Sequence, residues 1–538
     1  MRAATFLQGL AAFLIVAFGQ PSLAPWLAPV SAAVGYALFW RAIRIYPFKW
    51  QRFWRGSLWY SCVSIVQLSW MTAIEYQGIY ILFVWLAISV GVGLQFGLLT
   101  TLIPYQRPLK IPRILAIAGL WTLLEWSRFH FICGYSWNLS GIALSNPIAI
   151  QFASIFGVLG LTFWVIFSNL LGLRALTCRG LPAYMVWGAV VAIPYLFGVA
   201  HLSYHNRGLV ACKDKVNCLL VQTGMLPPEK IPIQGSLRSF ISPYTQWKRI
   251  LSYAAAHRDA DLDLVVLPEA AVPFSLNVEL YELQKVKETF ENVFGPLEEG
   301  LLPKSEEGEK ISNAFWVQAL ANVLESDIVI GLDYTDPSGI SYNSAFFARP
   351  FSHSLERYDK QVLMPLAEYL PYRWLAPLVK AYGITEFFTP GSGARIFESK
   401  VPLAASICYE ETFPSKVREG RLLGGQLLVN VTNDGWYPFS RLSSQHFEHA
   451  RIRTVENGVS MIRACNTGVS AAVDSLGRTI KQLHETKEDG IVQKGAILAQ
   501  ISPYTYSTLF AIWGNSGIVR LSIAFLGAFF LLKRVFSW

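Results

Sequence analysis

Leu262-Asp-Leu-Val-Val-Leu267, followed by Pro268-Glu269, is the stretch that decides the fold of the folded domain. A short apolar run that ends in a charged residue is typical of a buried β-strand with a polar group at its carboxyl end. The same pattern recurs four times, at 326–331, 343–348, 403–411 and 426–436.

Helical stretches lie between these strands. The clearest runs from 443 to 457 and is closed by Gly458, in the position of a C′ glycine. The hairpin-like stretch 470–483 and a strand at 495–501 follow it. We therefore predict an α/β sandwich whose strand-end residues gather at one site.

The composition shows that this domain is only part of the molecule. Of the 538 residues, 53% are hydrophobic and 15% are charged, against roughly 25% charged in soluble domains. This excludes a disordered chain and a simple cytosolic enzyme. Apolar runs of membrane-spanning length occur at 5–19, 22–40, 56–74, 79–103, 113–127, 151–173, 182–202 and 516–532. We predict a multispanning membrane protein with seven helices in 1–204, a folded domain in 205–505 and an eighth helix in 506–538.

The first apolar run also has features of a secretory signal peptide, because it is short and follows Arg2. Further spans follow at once, and no small-residue cleavage site lies between Phe18 and Pro25. We therefore expect an uncleaved first helix.

Lys and Arg are concentrated in alternate loops, after the second, fourth, sixth and last spans. The residues are Arg41, Arg44, Lys49, Arg52, Arg55, Arg107, Lys110, Arg113, Arg174, Arg179, Lys533 and Arg534. Positive loops stay in the cytoplasm, so both termini are predicted to be cytoplasmic and the folded domain to lie outside. The net charge of +9 is spread over these loops and the domain, which favours contact with anionic lipid and not with nucleic acid.

Polar groups within the membrane part and the cysteines leave alternatives open. Glu125 and Arg128 lie three residues apart, as either a functional pair or an interfacial intrahelical pair. The seven cysteines fit no zinc pattern and predict no metal site. Cys212 and Cys218 either pair in the oxidising space or remain free.

Three strand-end residues suggest a chemistry. Cys408 supplies a nucleophile, Glu269 a candidate base and Lys360 a cation that could hold an oxyanion. Taken singly, each also has a structural interpretation, as a buried strand thiol or as a surface charge, and spacing alone does not join the three.

The order of the motifs resembles the nitrilase superfamily and, with the multispanning frame, bacterial apolipoprotein N-acyltransferases. The motifs are Val266-Leu-Pro-Glu-Ala270, Tyr342-Asn-Ser344, Tyr358-Asp-Lys-Gln-Val-Leu-Met-Pro-Leu-Ala-Glu-Tyr-Leu-Pro371, Ser406-Ile-Cys-Tyr-Glu-Glu411 and Thr432-Asn-Asp-Gly-Trp436. The resemblance implies an αββα domain facing the periplasm on eight helices of the bacterial inner membrane. It implies transfer of an acyl chain from a phospholipid to the α-amino group of a diacylglyceryl-cysteine on an apolipoprotein, with no cofactor.

The same resemblance assigns roles to residues. Cys408 would be the nucleophile, Glu269 the general base and Lys360 the oxyanion cation. The residues implied to support the site or to contact substrate are Glu368, Tyr409, Glu410, Asn433 and Trp436. Independently of the resemblance, the apolar stretch 369–378, with Tyr369 and Trp374, is predicted to dip into the membrane interface as a lid.

The chain also departs from the family pattern. Thr223-Gly-Met-Leu-Pro-Pro228 replaces the usual sequence before a tryptophan, and the nearest tryptophan is Trp247. The Glu- and Lys-rich stretch 277–310, around Glu298, is predicted to be an inserted solvated loop. A membrane-anchored amidase with the same triad and a transporter with an accessory domain are the competing hypotheses. The eight predicted spans disfavour the amidase, and the scarcity of charged or broken helices at mid-membrane disfavours the transporter.

Overall fold

The structure is a computed structural model that describes residues 2–132, 134–231, 239–306, 308–372, 374, 376, 377, 387–484 and 492–536. The chain forms two compact units. The helical unit comprises Met1–Arg207, Val455–Gly458 and Ser507–Trp538, and the α/β unit comprises Gly208–Thr454 and Val459–Tyr506.

The helical unit is built from apolar helices of very different length. They are α1 Arg2–Phe18, α2 Ala28–Val30, α3 Tyr36–Ile43, α4 Lys49–Gln67, α5 Tyr80–Thr100, α6 Ile111–Arg128, α7 Ala153–Cys178, α8 Leu181–Ala211 and the C-terminal helix Leu509–Phe536. A π-helical turn, Ser31–Gly35, joins α2 to α3. Phe96 lies at the centre of an aromatic cluster, with the Tyr60 ring stacked 4.6 Å away and the Trp40 ring stacked 5.8 Å away.

Within the described residues, four helices are long and apolar enough to cross a membrane. They are Tyr80–Thr100, Ala149–Cys178, Leu181–Ala211 and Leu509–Arg534. The other predicted spans fall on shorter or more polar segments. The run 22–40 is divided among α2, the π-helical turn and α3, while α6 carries Arg113, Glu125 and Arg128 within 18 residues.

Glu125 and Arg128 each have partners other than one another. Glu125 accepts hydrogen bonds from the Ser140 backbone N–H and hydroxyl, both at 2.9 Å, and from the Thr162 hydroxyl at 2.5 Å. Arg128 Nε donates to Gln95 Oε1 at 2.8 Å. These contacts connect α6 to α7 and α5, which gives both charged groups a packing role.

The α/β unit contains two six-stranded mixed sheets. Their orders are β14-β1-β2-β5-β6-β7 and β13-β12-β11-β10-β9-β8. The strands of the first sheet are β1 Val216–Gln222, β2 Leu264–Leu267, β5 Asp327–Thr335, β6 Ser341–Ala348, β7 Glu356–Asp359 and β14 Gly495–Ile501. Those of the second are β8 Ile396–Glu398, β9 Pro402–Ile407, β10 Leu427–Thr432, β11 Ser460–Cys465, β12 Ser470–Val473 and β13 Thr479–Leu483. A small sheet pairs β3 Tyr281–Glu282 with β4 Lys310–Ile311.

Three apolar cores hold these sheets in four layers, which confirms the predicted α/β sandwich. The helices are α9 Pro227–Lys230, α10 Pro243–Ala255, α11 Leu283–Phe294, α12 Asn313–Leu324, α13 Pro414–Leu422 and α14 Leu442–Asn457. The first core packs α10, α11 and α12 on the outer face of the first sheet. The second core lies between the sheets, and the third lies under α13 and α14.

Parallel pairing aligns the strand ends that matter. β1, β2 and β5 run parallel, and so do β9, β10 and β11. The polar residues that follow β2, β9 and β10 therefore leave the sheets at their carboxyl ends.

Two sequence interpretations need correction or completion. The prediction of a loop throughout 277–310 is wrong for Leu283–Phe294, which forms α11 and buries Leu283, Val286, Phe290 and Phe294. The exposed residues Glu298, Glu299, Glu306 and Glu309 do lie in the solvated remainder. Cys212 and Cys218 are both free thiols.

Candidate active site

Glu269 lies in a tight turn directly after β2. The turn is fixed against β5, because the Gly331 N–H donates to the Pro268 carbonyl at 3.2 Å and the Gly331 carbonyl accepts from the Ala271 N–H at 3.0 Å. Only glycine fits at 331, since a Cβ there would lie 2.5 Å from the Cα of Glu269. Ala270 adopts a left-handed φ of 45°, which turns the chain sharply after Glu269.

Lys360 follows β7 and lies between two carboxylates. Its Nζ is 3.2 Å from Glu269 Oε1 and 2.8 Å from Glu368 Oε1. Asn343 Nδ2 donates to the same two oxygens, at 2.8 and 2.9 Å. Glu368 Oε2 accepts from the Met364 N–H at 2.8 Å. The ammonium and the amide therefore hold the two carboxylates side by side.

This arrangement keeps Lys360 charged. Only 1% of its surface is exposed. Burial alone would lower the pKa of Lys360, but the carboxylates of Glu269 and Glu368 outweigh burial and raise it well above its usual value. A permanent positive charge therefore faces the interior of the site.

Cys408 is the first residue after β9 and has a left-handed φ of 49°. Such a conformation in a non-glycine residue costs about 1 to 2 kcal/mol and persists only where the surroundings fix it. Burial and the Glu269 carboxylate raise the pKa of the Cys408 thiol, while Lys360 acts in the opposite direction. The resting cysteine is therefore a thiol, and it needs a base to become a nucleophile.

Glu410 connects the turn after β9, which carries Cys408, to the turn after β7, which carries Lys360. Its carboxylate accepts from the Ile407 N–H at 2.7 Å, the Gln361 N–H at 2.5 Å and the Tyr358 hydroxyl at 2.8 Å. Burial raises the pKa of Glu410. Because its partners flank both Cys408 and Lys360, Glu410 fixes the positions of these two residues.

A buried network of charges includes Asp434, which lies in the turn after β10. Asp434 accepts from His446 Nδ1 at 2.8 Å and from Arg463 Nη2 at 3.4 Å. Arg463 Nε also donates to Glu411 Oε1 at 2.7 Å. Burial would raise the pKa of Asp434, but His446 and Arg463 lower it. The network connects the residue after Glu410 to the loop that contains Asn433 and Trp436.

Comparison with known proteins identifies the family. A carbon-nitrogen hydrolase model matches residues 239–507, and an apolipoprotein N-acyltransferase N-terminal domain model matches residues 11–171. The apolipoprotein N-acyltransferase of Chlamydia caviae is 30% identical over 540 residues, which cover 97% of this chain and 96% of the relative. The chain belongs to the apolipoprotein N-acyltransferase family. The resemblance predicted from the motifs is thereby confirmed.

Further members and solved structures are also similar. The apolipoprotein N-acyltransferase of Bradyrhizobium diazoefficiens is 30% identical, over 73% of this chain and 70% of the relative. The Saccharomyces cerevisiae Nit3 structure covers 54% of this chain and 90% of its own, with 18% identity and a TM-score of 0.36. A Helicobacter pylori carbon-nitrogen hydrolase covers 58% and 94%, with 16% identity and a TM-score of 0.35.

Of the residues predicted from the sequence, Glu269, Lys360 and Glu368 are in direct contact. Tyr409, Tyr369 and Asn433 have other partners. Tyr409 is buried, and its ring packs edge-on against Phe413 with centroids 4.9 Å apart. Tyr369 is half-buried, and its backbone N–H donates to the Met364 carbonyl at 3.3 Å. Asn433 Oδ1 accepts from Asn466 Nδ2 at 2.9 Å.

Two predicted aromatic residues lie at the surface. Trp436 is 42% exposed and Trp374 is 75% exposed. Trp374 stacks on Tyr372, with ring centroids 6.1 Å apart. Residues 373, 375 and 378 of the predicted lid lie outside the described residues, so the lid stays a prediction.

Asn343 lies in a family motif but has no role predicted from the sequence, and two other features are not predicted from it at all. They are the buried lysine Lys230 and the charge network of Glu411, Asp434, His446 and Arg463. For Asn343 the signal was its place in the Tyr342-Asn-Ser344 motif of the family. For the charge network the signal was an arginine at the centre of the apolar strand β11.

Proposed function

We propose that this chain transfers a fatty acyl chain from a membrane phospholipid to the α-amino group of the S-diacylglyceryl-cysteine that begins an apolipoprotein. The acyl chain would pass through a thioester on Cys408. The observation that carries the proposal is the buried cluster of Glu269, Lys360 and Glu368, in which the charges of Glu269 and Lys360 act on the Cys408 thiol. Family membership supports the two substrates.

The first half-reaction forms the acyl-enzyme. Lys360 and Asn343 both bind Oε1 of Glu269, so Oε2 is the oxygen best placed to accept the thiol proton. The sulfur attacks the ester carbonyl of the phospholipid, and the Lys360 ammonium stabilises the negative charge that develops on the carbonyl oxygen. Glu269 then returns its proton to the departing oxygen, and the lysophospholipid leaves.

The second half-reaction forms the amide. The α-amino group of the apolipoprotein, in its uncharged form, attacks the thioester carbonyl while Glu269 accepts one of its protons. The C–S bond breaks, and the proton passes from Glu269 to the sulfur. A thioester transfers readily to an amine, and an apolar, water-poor pocket favours that transfer over hydrolysis.

The membrane arrangement is part of the proposal. We place transmembrane helices 1 to 7 in 1–204, the periplasmic catalytic domain in 205–505 and the eighth helix in 506–538, with both termini in the cytoplasm. Large apolar side chains on the surface of the helical unit support a lipid environment, for example Phe83 at 72% and Leu196 at 68% exposed. A periplasm-dependent reporter fused after Gly300 should be active, and one fused after Arg179 should be silent. The opposite pattern would overturn the orientation.

Detection of the acyl-enzyme tests the reaction. Enzyme incubated with phospholipid but no acceptor should gain the mass of one acyl chain at Cys408, and neutral hydroxylamine should remove it. Cys408→Ala should gain nothing, whereas Cys465→Ala should still be acylated. Addition of a diacylglyceryl peptide with a free amino terminus should discharge the adduct to an amide, with ping-pong kinetics.

Two outcomes would contradict the proposal. Intersecting double-reciprocal lines without an adduct, in a preparation shown to be active, would favour direct transfer between the lipids. Hydrolysis of small amides without acyl transfer to the peptide would favour the amidase alternative.

A further inference from the structure

Two lysines are buried in the described part of the chain, and the proposed chemistry uses only one of them. Lys360 is 1% exposed and Lys230, at the end of α9, is 6% exposed. A buried ammonium is costly unless it has partners. The partners of Lys230 therefore indicate what it does.

Lys230 contacts the turn that carries Glu269. Its Nζ donates a hydrogen bond to the Ala270 carbonyl, in the residue whose left-handed φ reverses the chain after Glu269. Gly331 of β5 holds the residues on either side of that turn. Lys230 thus supplies a further attachment, from a segment that belongs to neither β2 nor β5.

The charge of Lys230 also acts on Glu269. Burial lowers the pKa of Lys230 to about 7, while the carboxylates of Glu269 and Asp333 oppose this effect. Below pH 7 the amine is therefore mostly an ammonium, so a buried positive charge acts on the Glu269 carboxylate. Among the described residues, Lys360, Glu368 and Cys408 are further charged or titratable groups close to Glu269.

We propose that Lys230 is a positioning residue for the general base, which holds the Glu269 turn through the Ala270 carbonyl and places a buried positive charge close to the Glu269 carboxylate. This role rests on the proposed function of Glu269 as the base. Lys230 lies shortly after Thr223-Gly-Met-Leu-Pro-Pro228, the stretch that departs from the family pattern, and it acts on proton transfer at Cys408 through Glu269.

The pH dependence of Cys408 reactivity tests the proposal on the full-length enzyme in detergent. Alkylation of Cys408 by iodoacetamide is followed by peptide mass spectrometry, and acyl-adduct formation from phospholipid is followed in parallel. Lys230→Met should move the acid limb of acyl-adduct formation, which needs Glu269 as a base, upward by about one pH unit, the smaller end of the range for one nearby opposite charge. The alkylation limb should move in the opposite direction, because a protonated Glu269 no longer raises the pKa of Cys408. Lys230→Gln keeps a donor for the Ala270 carbonyl, so it should show the same shifts with a smaller loss of rate. Lys230→Arg keeps the charge and should keep both limbs.

Controls separate this role from simple packing. Lys400→Met removes an exposed lysine that pairs with Asp263 at 2.9 Å and should leave the profile unchanged. In a Glu269→Gln background, Lys230→Met should no longer shift the alkylation profile, because its effect passes through Glu269. A uniform loss of rate at every pH, with the limb of all three Lys230 variants unmoved, would overturn the proposal.

The two readouts distinguish this inference from the proposed function. Alkylation needs no lipid, so a shifted alkylation limb in an enzyme that never forms the acyl adduct would refute acyl transfer and retain the role of Lys230. Normal adduct formation with an unshifted limb would refute the role of Lys230 alone. If Lys230→Met does not fold, the comparison of Lys230→Gln with Lys230→Arg gives the same test.

Discussion

Replacing Glu269 by glutamine should make Cys408 more reactive toward a small alkylating reagent while it abolishes acyl transfer. Glutamine keeps an oxygen that can accept from Lys360 and Asn343, which both bind Oε1 of Glu269. The geometry of the site should therefore survive. The change removes one negative charge beside the thiol and, with it, the proposed base.

The size of the effect follows from the causes of the thiol's raised pKa. Burial and the Glu269 carboxylate raise the pKa of Cys408, and Lys360 lowers it. A single nearby charge shifts a pKa by about 1 to 3 units. Glu269→Gln should therefore increase the thiolate population at pH 7 by about 10- to 1,000-fold, because each unit is a factor of ten. Lys360→Met should act in the opposite direction.

The assay measures the second-order rate of iodoacetamide modification at Cys408 between pH 6 and pH 9 by peptide mass spectrometry. Glu419→Gln is the matched control, since this carboxylate belongs to the same unit but pairs with Lys416 on α13. Acyl-adduct formation is measured on the same preparations. Slower alkylation of Glu269→Gln than of the enzyme with Glu269 at pH 7 would show that the charge of Glu269 does not raise the pKa of the Cys408 thiol, and would refute the prediction.

Three further changes have definite expected outcomes. Asn343→Ala removes the amide that bridges two carboxylates and should slow acyl-adduct formation by about 10- to 100-fold in single-turnover measurements; a rate within twofold would contradict this. Trp374→Ser should raise the KM for phospholipid vesicles while alkylation of Cys408 is unchanged, and equal kinetics would show that Trp374 is not part of lipid access. Asp434→Asn breaks a buried pair with Arg463, so the free energy of unfolding should fall by about 3 to 5 kcal/mol. Because the folded state lowers the pKa of Asp434, its contribution is present above pH 4 and is lost on acidification; a thermal midpoint independent of the substitution would refute it.

Local patterns were sufficient for most of the strands and helices of the α/β unit. The predicted strand 495–501 is β14 Gly495–Ile501, and the predicted helix 443–457 is α14 Leu442–Asn457, closed by Gly458 with a φ of 62°. Both lie where glycine and the apolar period mark the boundary. The helix α11 was not predicted because Glu and Lys residues dominate its sequence. Only four apolar side chains, which share one face, indicate a buried helix.

The site could not be assembled from local patterns. Glu269 and Lys360 are 91 residues apart in sequence, and they meet only because several strands end at the same edge. The family's ordered motifs supplied this information. The left-handed conformations of Ala270 and Cys408 were not predictable either, since neither residue type favours them.

Buried charges show why the other features could not be predicted from local sequence. Arg463 lies at the centre of the apolar strand β11, and its position is stable only because Glu411 and Asp434 arrive from two other turns. No window of sequence contains all three residues. A buried charge is therefore stable only with its partners, and the fold determines which residues those partners are.

The proposed site can do proton chemistry without creating a new buried charge. In the resting state two carboxylates face the Lys360 ammonium, and the Glu269 carboxylate helps to keep Cys408 a thiol. When Glu269 accepts the thiol proton, one negative charge moves from the carboxylate to the sulfur, so the total charge around Lys360 stays constant. The ammonium then faces Glu368 and the thiolate, with no change in the number of buried charges that it must balance. In the proposed mechanism Glu368 would be the anion that keeps Lys360 in place while Glu269 is protonated, which would account for a second glutamate beside the proposed base.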